Sequence, residues 1–206
     1  MKFVFSFVSV LFNTKKISDW TLGKRDGYCC HDWTKLACLV EVKGVLHYGI
    51  AGNALTQLQI GDVTIPQYWA SSYGQHVFWV PVDDHYFKIA KEIEALDLER
   101  CVNATTCLPR TPKVVTAEKG ISGDVLLDNG AYLEFLYSKF NASPVDMKTA
   151  AVALLCCQQN MHFIGFRSLS DLAGEGSAQS NEAAIFAPLA AQNAVDALLQ
   201  FIALLS

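Results

Sequence analysis

An α/β fold is what this sequence predicts, and three observations predict it. Apolar runs of strand length alternate along the chain with segments whose apolar residues recur at helical spacing. Hydrophobic residues make up 51% and charged residues 17%, the balance of a chain that buries a core. A length of 206 residues suits one full-sized domain. The formal net charge is −4 and no long basic run occurs, which argues against nucleic-acid binding through phosphate neutralisation.

The N-terminal stretch from Met1 to Phe12 carries Lys2 and a short apolar segment, too short to span a bilayer. It reads either as the apolar part of a signal peptide, without a small-x-small cleavage site before Lys15 and Lys16, or as a strand. Asn13 to Trp33 has neither helical nor strand periodicity, so residues 1–41 are expected to be an irregular segment ahead of a domain over 42–206. Val42 to Gly52 predicts a strand ending in a Gly49-x-x-Gly52 turn, whose small residues admit a ligand or simply turn the chain. Ile60 to Trp69 alternates like a second strand, with Pro66 marking an edge or a bulge.

Asp83 is a good N-cap for a helix that turns Phe87, Ile89, Ala90, Ile93 and Leu96 inward and Lys88, Lys91, Glu92 and Glu94 to solvent. Lys113–Thr116 and Gly120–Leu127 follow as two short strands. Asp128 or Asn129 then caps a helix carrying Tyr132, Leu133, Leu136 and Phe140. The central block is Pro144–Gly176. Pro144 and Asp146 mark a helix start, Met147, Ala150, Ala151, Leu154 and Leu155 supply its apolar face, and Asn160 closes it. Met161–Phe166 is a nearly continuous apolar run, as in a central parallel strand. Arg167, Ser168, Ser170 and Asp171 follow as a polar loop, and such loops at strand ends are where α/β sheets build their sites. A last helix starts at Ser180 or Asn181, with Ile185, Leu189, Val195, Leu198, Phe201, Ile202 and Leu205 as its buried stripe and Pro188 as a kink. It is the longest apolar stretch, but Gln192, Asn193 and Asp196 interrupt it, so no membrane span is expected.

The seven cysteines include no CxxC pair, and the histidines add no ligand spacing, so no metal site is expected. Cys101-Val-Asn103-Ala-Thr105-Thr-Cys107 holds an Asn-x-Thr sequon between two cysteines. It reads either as a disulfide-closed turn glycosylated at Asn103 or as two reduced thiols in a cytosolic loop. Asn141-Ala-Ser143 is a weaker second sequon because Pro144 follows. Cys156 and Cys157, mid-helix, read as buried, inert thiols.

Gly49-Ile-Ala-Gly52, Ile60-Gly-Asp-Val63, Val145-Asp-Met147 with Ala150-Ala151, and Arg167-Ser-Leu-Ser-Asp171-Leu-Ala-Gly174 together resemble successive motifs of the nucleoside phosphorylase/nucleosidase superfamily. Gly61-Asp-Val-Thr-Ile-Pro-Gln-Tyr-Trp-Ala70, Phe78-Trp-Val-Pro-Val-Asp83 and the Cys101–Pro112 segment are similar to its plant branch, the bark and vegetative storage proteins. The resemblance covers about Val42 to Leu205. It implies a mixed central sheet flanked by helices, no cofactor, a purine nucleoside and phosphate as ligands, and a homo-oligomer. It also implies a vacuolar or secreted location, with the cytoplasm as the alternative. The reaction it implies is cleavage of a purine N-glycosidic bond by phosphate or water, in which the departing base is protonated as an oxocarbenium-like ribose forms. Asp171 matches the family's proton donor, with Ser170 and Arg167 as its supporting neighbours. Met147 matches the residue under the ribose, and the Gly49-Ile50-Ala51-Gly52 turn matches the loop whose backbone meets phosphate or nucleophilic water.

Departures from the pattern point the other way. The family's glutamate after that methionine is here Lys148, a cationic donor beside a developing cation. Leu126 and Leu127 occupy the stretch where an aromatic usually covers the purine. Nothing in residues 1–41 resembles the family's first strand and glycine-rich loop, and the stretch between Trp69 and Phe78 is short. The expectation is an incomplete domain, either a pseudoenzyme or the product of a truncated or mis-spliced gene, storage-like and with little or no cleavage activity. The alternative is an active purine nucleosidase or phosphorylase acting on a methylthioadenosine-type substrate. Asp171 as a helix cap, Arg167 as a structural ion-pair partner and Lys148 as a first-turn helix lysine are the plain readings of the same residues.

Overall fold

A computed structural model describes residues 6–12, 42–55, 57–71, 78–94, 96–123, 129–172 and 181–205. In chain order these form β1 (Ser6–Phe12), β2 (Val42–Asn53), β3 (Val63–Ser71), β4 (Val80–Pro81), α1 (Asp84–Glu92) and β5 (Val114–Ser122). Then come α2 (Gly130–Phe140), β6 (Ala142–Asp146), α3 (Thr149–Gln158), β7 (His162–Leu172) and α4 (Asn181–Leu204).

The strands belong to one mixed sheet. β2 runs parallel to β7, β7 meets the start of β3 antiparallel, and β3 and β5 are parallel. β5 runs parallel to β6, and β6 returns to β2 at the single position Gly52↔Val145. Five strands therefore close a circuit, which removes their free edges. β1 lines the remaining side of β2, from Ser6↔Gly49 to Phe12↔Val42. Ser6–Phe12 is thus a strand, the second of the two readings of that stretch, inside a segment expected to be irregular as a whole; residues 1–5 and 13–41 lie outside the described residues. Pro66 sits where the second edge of β3 changes partner, from β7 at Val63 and Thr64 to β4 at Tyr68 and Trp69, so its missing N–H is tolerated.

One core cluster packs Leu46, Val63, Ile65, Ile164 and Phe166 from the sheet against Ile89, Ala90 and Ile93 near α1 and Ala197, Leu198 and Phe201 of α4. A second packs Val45, Trp69 and Phe163 against Phe87 and the Ala150, Ala153 and Cys156 face of α3. Asp83 caps α1 by accepting the Tyr86 N–H at 2.9 Å, and Lys88, Lys91, Glu92 and Glu94 are exposed, as the pattern predicts. Asn129 caps α2 at Tyr132 N–H, and Asn160, at φ 51°, ends the α3 segment. Ile185–Leu204 is long and apolar enough to cross a membrane by length and composition, but its buried face packs on the sheet. Asn193 on that face is wholly buried and donates to the carbonyls of Gly61 and Glu99, each at 3.0 Å.

Several boundaries differ from expectation. Pro144–Asp146 is the end of β6, and α3 begins at Thr149. The buried face of α3 is Thr149, Ala150, Ala153 and Cys156, while Ala151, Leu154, Leu155 and Cys157 are exposed. A helix apolar on every side carries no phase in its periodicity. The small face wins because α3 lies so close to β7 that a Cβ on Gly165 would sit 3.1 Å from Thr149 Cγ2. Lys113–Thr116 and Gly120–Leu127 are largely one strand, β5, with Gly120 crossed so closely by Trp69 that a Cβ would meet its ring at 2.7 Å. Ile185 is exposed.

Candidate active site

The polar run after Phe166 is no loop: β7 continues to Leu172, carrying Arg167, Ser168, Ser170 and Asp171 as strand residues. Ser168 is buried with its hydroxyl donating to Gly61 O at 3.3 Å, and the Arg167 carbonyl accepts the Thr64 hydroxyl at 2.9 Å. Polar side chains that the strand interior satisfies were what made it read as a loop. The Gly49–Gly52 turn is also strand, with Gly49↔Arg167, Ile50↔Ser168, Ala51↔Leu169 and Gly52↔Asp171 in ladder register. Its backbone therefore pairs with β7 and does not form an open turn.

Gly52 is the geometric hinge of the site. It is in register with Asp171 on one side and with Val145 on the other. Two strand spacings then put the Asp171 and Val145 backbones about 10 Å apart. Met147 and Lys148 follow directly in the turn from β6 to α3, Met147 half-buried and Lys148 exposed. Ser170 is buried, its hydroxyl 2.9 Å from Asp171 Oδ1 and 3.3 Å from Ala51 O. Asp171, Ser170, Met147 and Lys148 are thus brought to one end of the sheet. Leu126 and Leu127 lie outside the described residues.

Beneath them is a buried polar cluster. Arg167 is 0% exposed, and its Nε lies 2.8 Å from Asp146 Oδ2 and 2.8 Å from Thr149 Oγ1. Its Nη2 lies 2.7 Å from Thr149 Oγ1 and 3.0 Å from His47 Nε2. Asp146 also accepts the Ser122 and Thr149 hydroxyls and the Lys148 and Thr149 N–H groups, each N–H at 3.2 Å. One carboxylate thereby joins the ends of β5 and β6, the start of α3 and the interior of β7. Burial, and after it the Arg167 charge, pushes His47 down from 6.5 to about 3, so the imidazole is neutral. Burial also lowers the Arg167 pKa, against the Asp146 charge that raises it.

The sequence reading singled out Arg167 but missed Asp146 as its partner, along with His47, Ser122 and Thr149. In the sequence Asp146 reads as a helix start. The available signal was an acidic residue at a strand end three positions before a threonine, the spacing of a side-chain cap. Asp62, in the Ile60–Val63 motif, is fully buried and accepts from both terminal guanidinium nitrogens of Arg110, at 2.9 and 2.5 Å. Cys101 and Cys107 are joined in a disulfide. Cys156 is buried, and burial, then its neighbour Cys157, pushes its thiol up to about 11, while Cys157 is exposed. Among the described residues no group of three or more His, Cys, Asp or Glu side chains is placed to hold a metal ion.

The sheet, the flanking helices and these motifs define a nucleosidase-type fold. The chain belongs to the phosphorylase superfamily, whose family model matches residues 32–203. It is 33% identical over 180 residues to bark storage protein A of Populus deltoides, covering 79% of this chain and 56% of that protein. It is 28% identical over 150 residues to the aminodeoxyfutalosine nucleosidase of Helicobacter pylori, covering 71% of this chain and 64% of that one. The chain thus spans between half and two thirds of these relatives. Among solved structures it is similar to the Helicobacter pylori 5'-methylthioadenosine/S-adenosyl homocysteine nucleosidase. The TM-score is 0.64 at 21% identity, over 82% of this chain and 72% of that one.

Proposed function

We propose that this chain is a storage-type member of the superfamily, vacuolar or secreted, that keeps a purine-nucleoside-binding end with little or no N-glycosidic cleavage. The observation that carries the reading is Lys148. It stands exposed in the β6–α3 turn directly after Met147, at the position where the family resemblance expects a carboxylate. A ribosyl cation forming over Met147 would face an ammonium, and at a few ångströms like charges raise the barrier. Phosphate and a second copy of the chain are the other partners this reading carries. The test is adenine release from methylthioadenosine or adenosine by purified chain, with and without phosphate. No turnover is expected, and turnover at an ordinary enzymatic rate refutes the reading.

One observation favours the alternative, an active purine nucleosidase or phosphorylase. Ser170 and Asp171 are in contact at the end of β7, in register with Gly52, whose other neighbour Val145 leads into the Met147 turn, and a carboxyl group there is the kind of donor that protonating a departing base needs. The same assay separates the two readings.

A further inference from the structure

The loop from Cys101 to Cys107 lies outside the phosphorylase-type site, yet it has the most complete chemistry on the surface. Its disulfide brings the two Cα atoms to 4.0 Å, and Val102 N–H donates to Thr106 O at 2.9 Å, so the intervening residues form one closed turn. Asn103, Ala104 and Thr105 are exposed at its tip. The Asn103 Oδ1 accepts the Thr105 N–H at 3.0 Å, the Thr105 hydroxyl at 3.0 Å and the Thr106 N–H at 2.9 Å. All three bonds use the amide oxygen, and the Nδ2 of this exposed side chain takes part in none of them.

We propose, resting on the vacuolar or secreted reading above, that Asn103 is an N-glycan acceptor when the chain passes through an oxidising secretory lumen. Two features of one loop point to that compartment: a disulfide that reducing cytosol does not maintain, and an exposed Asn-x-Thr sequence of the kind a lumenal transferase reads. In the transfer, a bond forms between Asn103 Nδ2 and C1 of an oligosaccharide carried on a lipid pyrophosphate. The C1–O bond to that pyrophosphate breaks, and Nδ2 loses one proton as the pyrophosphate leaves. No oxidation or reduction occurs in this step.

The second sequon shows by contrast what an unfavourable acceptor looks like. Asn141 uses its Nδ2 to donate to Glu118 Oε2 at 3.1 Å, and Ser143 is 1% exposed within β6, its hydroxyl turned to Asn53. Pro144 follows immediately. A glycan on Asn141 would break the Glu118 contact, whereas one on Asn103 displaces nothing. The Cys101–Cys107 loop enters β5 at its first residues, while Asp146 adjoins Ser122 at its last, so the glycan leaves that end of the sheet open.

The test expresses the full chain behind a cleavable secretion signal in plant cells. The product is digested with a peptide-N-glycosidase, and the peptides are read by mass spectrometry for conversion of asparagine to aspartate. Conversion at position 103 is expected in wild type, in N141Q and in T105S, which keeps the acceptor sequence. It should be lost in N103Q and T105A, with a matching downward step in apparent mass. A secreted wild-type chain unmodified at Asn103, or modified at Asn141 instead, overturns the proposal.

Discussion

Lowering the pH from 7.5 to 5 is expected to cost the fold about 2 kcal/mol through His47 alone. His47 is 1% exposed, with Nε2 3.0 Å from Arg167 Nη2, and its pKa falls from 6.5 to about 3 on folding. The folded protein accepts this residue only as a neutral acceptor. Below pH 6.5 the unfolded chain takes up a proton that the folded chain refuses until about pH 3. The stabilisation is therefore complete above 6.5 and disappears progressively as the pH falls through that window. At pH 5 the protein is one and a half pH units into it, at about 1.4 kcal/mol each. With a urea slope of roughly 2 kcal/mol per molar, the unfolding midpoint should drop by about 1 M. His47→Gln retains an acceptor for the guanidinium but does not titrate, so its midpoint should lose about 1 M less than wild type between the two pH values. If wild type and H47Q lose stability in parallel, His47 is not the group responsible and the packing described around Arg167 is wrong.

Other perturbations test the same structure at separate points. Asp146→Asn leaves the buried guanidinium without its counter-charge and should destabilise the fold by about 3–5 kcal/mol in urea titration. The paired replacement of Asp146 by Asn and Arg167 by Met should cost less than the two singles summed, and additivity would show that the two groups do not act as a pair. Phe201→Ala removes a ring packed 5.1 Å from that of Phe166 and should cost about 3–5 kcal/mol, read the same way. Asp83→Ala, which deletes the cap at Tyr86 N–H, should cost only about 1 kcal/mol. Lys148→Glu alone should not produce adenine release, because the β6–α3 turn is one part of a larger site; full turnover in that mutant would show that the remainder is intact.

How far the fold could be read from the residues depended on whether polarity and burial agreed locally. They agreed for α1, where Asp83 caps, alternating lysines and glutamates face water, and the apolar spacing carries a phase. They disagreed in α3. Leu154 and Leu155 outrank Ala150 and Ala153 on any hydrophobicity scale, but the helix turns its small residues inward because Gly165 and Trp69 leave room for nothing larger. A close approach set by Gly165 of the very next strand and by Trp69 from much earlier in the chain leaves no trace inside the helix itself. The same holds for β5, which the glycine at position 120 seemed to divide. That glycine is there to admit the Trp69 ring, and the strand runs through it.

The site shows the same limit more sharply. The family resemblance assigned Asp171, Ser170, Met147 and Lys148 to one site, and the strand register across Gly52 puts their backbones at one end of the sheet. The resemblance said nothing of what holds them there. Arg167, Asp146, Thr149, Ser122 and His47 come from five separate elements, and none would be placed inside a core on composition. Each is buried because the others are: the guanidinium needs the carboxylate, the carboxylate needs two hydroxyls and two amides, and the imidazole is tolerated only uncharged. A cluster of this kind is invisible to pairwise reading along the chain, since removing any member makes the rest look like surface. It also bears on Lys148. Asp146 is occupied by Arg167 and by the helix start, so it is not available to neutralise the exposed ammonium two residues on.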